Sequence, residues 1–301
     1  MAIAKGQSLE QKEYKRYIGV CPVCVVAVNP NKEELEKLFN YTLEKEPSYV
    51  EDVERDGKKF KNIRISLVLK PTHKDMPLFT MSFFITSNKV QGTKSGKYQI
   101  IDKYGRTTWA TEDEIRNGII PTFSNGSQAK IDKDYRIAYE GEENLTKFIK
   151  IFLGIPSIEK RDEATGSYVL NTEIDPSLCE CRLDISTFPK LAKGDFSDIR
   201  DIIGYQPNNP IRVCLGVRTG EDGKQYQTVY TKEFASIKSK NFNKIEKAIN
   251  SDIKYAMDNG RSIDTEYAIT PVREYVVTPT TFQQNTTGDM PFDTNNSDPW
   301  A

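Results

Sequence analysis

A mainly β or α+β fold, barrel-like and carrying added helices, is what the sequence predicts. Strand-like stretches, apolar and β-branched or alternating, outnumber helical ones. The helical stretches come singly between groups of strands, so a doubly wound α/β sheet fits poorly. The strongest local signal is PIRVCLGVRTGEDGKQYQTVYTKEF at 210–234, two strand patterns flanking a tight Glu-Asp-Gly turn, which is a β-hairpin.

In chain order, IGVCPVCVVAV at 18–28 has the composition of a buried strand. Asn29-Pro30-Asn31 stops it and opens a helix, KEELEKLFN, with acids in its first turn where the dipole favours them. IRISLVLK at 63–70 and LFTMSFFIT at 78–86 read as two strands, joined by a turn that includes Pro71, His73 and Asp75. A glycine-bearing loop, NKVQGTKSG, leads into KYQIID and YGRTTWAT. GEENLTKFIKIFLG predicts a second helix, with Leu145, Phe148, Ile149 and Phe152 at helical spacing and Gly154 to stop it. Two short helical pieces flank Lys193-Gly194-Asp195. After the hairpin, 241–260 predicts a third helix and 267–277 a last strand. There is no internal repeat, and residues 1–278 read as one unit followed by a tail, 279–301.

Composition narrows the function classes. Net charge is −1, but the tail holds no Lys or Arg and three aspartates; without them the body has 42 basic against 40 acidic residues. A nearly neutral body argues against binding nucleic acid by bulk charge and permits a local basic groove. No apolar run is long enough to span a membrane, and the first residues lack the apolar stretch of a signal peptide. Five cysteines, an odd number, point to reduced thiols in a cytoplasm.

Signatures of catalysis are missing from the pattern. The one histidine, His73, sits in a turn. Neither a phosphate-binding G-x-x-x-x-G-K-[ST] loop, nor H-E-x-x-H, nor G-x-S-x-G occurs. Carboxylates such as Asp132 and Asp134 lie among lysines, as solvated surface does. Cys21, Cys24, Cys179 and Cys181 meet the count for a zinc site. However, Cys21 and Cys24 lie in an apolar strand, where residues three apart point to opposite faces. Core thiols, no metal, no cofactor and no enzyme are therefore expected.

Two stretches instead alternate aromatics with bases. Lys224, Tyr226, Thr228, Tyr230, Lys232 and Phe234 would share one face of a strand, with Arg212 and Arg218 on its partner. The second stretch offers Tyr98, Lys103, Tyr104, Arg106 and Trp109, preceded by Lys89, Lys94 and Lys97 in the glycine-bearing loop. Rings that stack bases beside cations that neutralise phosphates are what a single-stranded nucleic-acid groove needs. Tyr, Trp and Thr are also good strand formers, so a core-facing Tyr226 or Tyr230 is the competing reading. The tail adds Asp289-Met290-Pro291-Phe292 and Asp298-Pro299-Trp300, aromatics placed where folding has no use for them. Such phrases suit a partner with a basic, apolar pocket.

On these residues the chain resembles the single-stranded DNA-binding proteins of large tailed phages, the crAss-like group among them. KRYIGVCPVCVVAVNP, IDKYGRTTWAT, LGVRTGEDGKQYQTVYTKEF and the acidic-aromatic tail carry the resemblance. DMPF is also similar to the D-[IL]-P-F tip of bacterial single-stranded DNA-binding proteins, although here nine residues follow it and the tail has only three aspartates. The resemblance implies an OB-like β-barrel core, no catalysis, and sequence-independent binding of single-stranded DNA during phage DNA replication or recombination in the host cytoplasm. It further implies a tail that recruits replication and recombination proteins and competes weakly for the DNA groove. The basic arm, Lys12 to Arg16, would mediate self-association along DNA. The rival expectation is a phage structural or virion-packaged assembly protein.

Overall fold

In a computed structural model, the protein is described over residues 16–55, 57–73, 76–183, 187–204, 210–219, 225–236 and 273–275. The N-terminal arm to residue 15, the helix expected at 241–260, most of the last expected strand and the whole tail lie outside these residues.

The apolar 18–28 stretch forms the long strand β1 (Arg16–Val28). Cys21, Val23, Val25 and Val28 are buried in the main core. β1 changes neighbours along its length, which is why it can be so long. Residues 16–18 pair with β12 (Arg273–Tyr275), 19–23 with β10 (Ile211–Thr219), and 23–28 with β3 (Lys58–Pro71), with a register shift between Val25 and Ala27. Pro22 stands near this hand-over, where a residue without an N–H donor is tolerated best.

Asn31 begins α1 (Lys32–Phe39) as the sequence predicts. Its side chain accepts from the Glu34 amide, and the Glu34 carboxylate accepts from the Asn31 amide, a reciprocal cap. β3 then carries three neighbours. One edge pairs with β4 (Phe79–Thr86), and the other with β2 (Val50–Arg55) and, further on, with β1. The hairpin follows the sequence reading: β10 pairs with β11 (Gln225–Ser236). All these pairings are antiparallel, and the seven-stranded sheet curls into a half-barrel. β11 comes back alongside β4 without entering its ladder.

α3 (Glu142–Leu153) plugs the curled sheet. Leu145, Phe148, Ile149 and Phe152, the four positions picked out by helical spacing, are all buried. Phe148 meets Phe83 of β4 at 5.2 Å and Phe234 of β11 at 5.4 Å between ring centroids, so one helix residue bridges the two strands that face each other across the opening. The entry to α3 needs Gly141: its φ is 82°, and a side chain there would collide with the Phe84 carbonyl. Glu142, buried, holds Arg136 through both terminal guanidinium nitrogens and accepts from the Tyr139 amide.

Two insertions interrupt the sheet. Between β4 and α3, β5 (Tyr98–Ile101), β6 (Thr107–Ala110) and β7 (Arg136–Ile137) form a three-stranded sheet of order β6-β5-β7. With α2 (Glu112–Arg116) they enclose their own small core of Ile100, Ala110, Ala129 and Ile131. Between α3 and β10 lie a two-stranded hairpin, β8 (Glu159–Arg161) with β9 (Tyr168–Leu170), a 3-10 turn (Pro176–Cys179), α4 (Thr187–Leu191) and α5 (Ser197–Gly204). The helices are the two short pieces expected on either side of Lys193-Gly194-Asp195. Arg200 of α5 donates to the Val28 and Asn29 carbonyls and ties this layer to the end of β1.

Candidate functional site

Strand alternation sorts the sheet into an inner face, filled by the core, and an outer one. On β10 the inward residues are Ile211, Val213 and Leu215, and Arg212 alternates outward. On β11 the alternation is broken. Leu215 pairs with Val229 but Val213 pairs with Phe234, so β11 spends extra residues between the two. This corrects one expectation: Phe234 does not share a face with Tyr226 and Tyr230 but turns into the core. Tyr226 is exposed, at 45%. Tyr230 is partly buried against Val20, Cys214 and Ala235, a small apolar cluster on the outer face. Lys232 is exposed, and its carbonyl accepts from the Lys147 ammonium. Arg212 is half-buried, and burial lowers its pKa. Arg218 stands opposite Tyr226 in the ladder. Lys224 lies outside the described residues, as do Asp289, Met290, Pro291, Phe292, Asp298, Pro299 and Trp300.

The second basic–aromatic stretch divides. Trp109 is exposed on β6, and its ring edge lies near Gly92, so it borders the loop that carries Lys94 and Lys97. That loop is closed by hydrogen bonds from the Gly92 amide to the Lys97 carbonyl (2.9 Å) and from the Gly96 amide to the Gly92 carbonyl (2.8 Å). Tyr98, half-buried, heads β5 opposite Ala110. Tyr104 and Arg106 point elsewhere. Tyr104 is buried with Ile158 and Cys179. Arg106 makes ion pairs with Asp102 (2.7 Å) and Glu159 (3.1 Å). Asp102, buried, also accepts from the Tyr104, Arg106 and Asp132 amides, so the turn is organised around one carboxylate. Lys103 is exposed and pairs with Glu180 at 3.0 Å, a hydrogen bond that raises its pKa. Lys150 donates to the Tyr104 carbonyl, and burial lowers its pKa. The Tyr104-Arg106 pair is thus the joint between the two insertions, not an outward platform.

The outer face of β3 and β4 holds residues that sequence reasoning missed. Phe84 is 45% exposed and lies directly across the ladder from Arg64, whose guanidinium sits over the Tyr49 ring at 5.3 Å and donates to the Ser48 carbonyl. Ser66 opposite Ser82 and exposed Lys70 alternate onto the same side, whereas Val68, opposite Thr80, is fully buried. The signal was available: in MSFFIT two adjacent phenylalanines cannot both face a core, and Phe83 is the buried one.

The cysteines diverge as strand geometry requires. Cys21 is fully buried, its thiol pushed up to about 12 by burial, while Cys24 lies half-buried on the opposite face. The two cannot close on one ion. Among the described residues, no three of His, Cys, Asp and Glu converge as a metal site would. Compared with known proteins, the chain matches no family model, no curated protein and no solved structure.

Proposed function

We propose that this protein binds single-stranded DNA without regard to sequence, on an OB-like barrel, during replication or recombination of a phage genome. What carries the reading is the order of the strands around the curled sheet. Following the ladder from β1 to β3 to β4, across to β11, and back through β10 to β1 gives the order first, second, third, fifth, fourth among the five barrel strands. α3 lies between the third and fourth. That order supports an OB-like reading, in which the second and third strands bind oligonucleotides together with neighbouring loops. Here those two strands are β3 and β4, the ones that present Phe84, Arg64 and Lys70. Tyr226, Lys232 and Trp109 add rings and cations suited to stacking bases and neutralising phosphates.

The tail, through Phe292 and Trp300, recruits replication and recombination partners and competes for the DNA groove. The reading is tested by fluorescence titration with an unstructured oligothymidine at several salt concentrations. Affinity falls as salt rises, with a log–log slope of about −0.7 per phosphate neutralised. Binding that ignores salt, or that prefers duplex, rejects it. Assembly into large particles with no DNA affinity would favour the virion-protein reading.

A further inference from the structure

We propose that β9 is a self-association edge, on which two copies of this chain pair antiparallel about Val169 with Tyr168 of each opposite Leu170 of the other. The β8–β9 hairpin sets this up through its hydrogen-bond phase. Asn171 donates to the Ile158 carbonyl and Asp162 to the Ser167 carbonyl, both at 2.8 Å, and the register pairs Lys160 with Val169. Hydrogen-bonded and non-bonded pairs alternate in an antiparallel ladder. The N–H and C=O of Tyr168 and Leu170 therefore point away from β8, to the outer edge. Among the described residues no backbone hydrogen bond engages them. The turn behind them is braced: the Asp162 carboxylate accepts from the Ala164 and Thr165 amides, bonds that lower its pKa, and Gly166 adopts φ 69°.

The two edges of this hairpin differ in chemistry. β8 reads Glu-Lys-Arg, the charged kind of edge that resists pairing, and Lys160 is held by Glu173. β9 reads Tyr-Val-Leu, flanked by Gly166-Ser167 and Asn171-Thr172, with neither charge nor proline to discourage a partner strand. Tyr168 and Leu170 are 60% and 57% exposed, on one face.

A second copy fits this edge better than any charged peptide. Two-fold pairing about Val169 uses all four outward backbone groups on each strand. It also places an aromatic against an aliphatic side chain twice, a favourable cross-strand pair, and it opposes no like charges. The interface is small and isologous, suited to weak, reversible association. It uses none of the residues proposed to bind DNA and does not depend on that reading.

The test is sedimentation equilibrium of the full chain without nucleic acid, over a range of protein concentrations. The parent shows a reversible monomer–dimer equilibrium. Leu170→Pro removes an N–H that only the partner strand would use, and it raises the dimer dissociation constant by about tenfold or more, equivalent to ~1.4 kcal/mol. Tyr168→Lys weakens the dimer, and adding Leu170→Glu restores it by setting Lys opposite Glu across the two-fold. This pair of variants decides the matter even if the proline disturbs the hairpin. A chain that stays monomeric at every concentration overturns the proposal. So does a dimer untouched by these changes, including one lost only when residues 1–15 are removed.

Discussion

Asn29 repairs a gap in the sheet by gripping Ser66. β1 and β2 both pair with the same edge of β3, and between them the ladder would lapse. Asn29 donates its backbone N–H to the Ser66 carbonyl (2.8 Å), and its side-chain oxygen accepts from the Ser66 amide. Its side-chain nitrogen donates to the Arg64 carbonyl at 3.0 Å. Asn29 does this from a left-handed conformation, φ 43°, that asparagine tolerates better than most residues.

Asn29→Ala leaves the Ser66 N–H and the Arg64 carbonyl short of partners and puts a less tolerant residue at positive φ. Each lost buried bond costs about 1–3 kcal/mol, so the two together should cost the variant roughly 2–6 kcal/mol. Urea unfolding measures it. A midpoint equal to the parent's means that water serves these groups equally well.

Arg106→Ala separates the joint from the groove. Removing the guanidinium strands the buried Asp102 carboxylate, a change that costs on the order of 3 kcal/mol. Thermal unfolding should shift down while oligothymidine affinity per folded molecule is kept. Unchanged stability with weakened binding would instead make Arg106 a phosphate contact.

Tyr226 and Tyr230 should part company. Tyr226→Leu removes an exposed ring and keeps the melting temperature, while affinity falls by about 1–3 kcal/mol for one lost stack. Tyr230→Leu disturbs the cluster with Val20, Cys214 and Ala235 and lowers stability as well. Equal effects from the two changes refute this division of the hairpin face.

Alkaline pH should destabilise the protein through buried Cys21 and half-buried Tyr49. Burial raises Cys21 from 9.0 to about 12 and Tyr49 from 10.0 to about 12. Both groups are neutral when protonated, so their raised values leave stability intact below pH 9.0 and erode it as pH climbs toward 12. Cys21→Val and Tyr49→Phe should each flatten part of that fall in urea unfolding followed across this range. A parent curve that stays flat to pH 12 contradicts the raised values of buried Cys21 and half-buried Tyr49.

Local pattern alone determined the elements whose signals are repeated within a few residues. The α3 stripe, the reciprocal cap at Asn31 and the 211–236 hairpin follow from spacing and turn chemistry. The opposite-facing Cys21 and Cys24 follow from strand alternation. Each depends on neighbours in the chain, so the sequence carries it. Phe234, Tyr104 and Phe84 were decided by tertiary structure. An irregularity in β11 turned Phe234 inward, and a buried Asp102 recruited the Arg106 turn as a joint between insertions. Phe84 was left outward because Phe83 met Phe148. Strand periodicity says that two faces exist; which one is covered depends on long-range packing against α3 and the insertions, and no local window contains that.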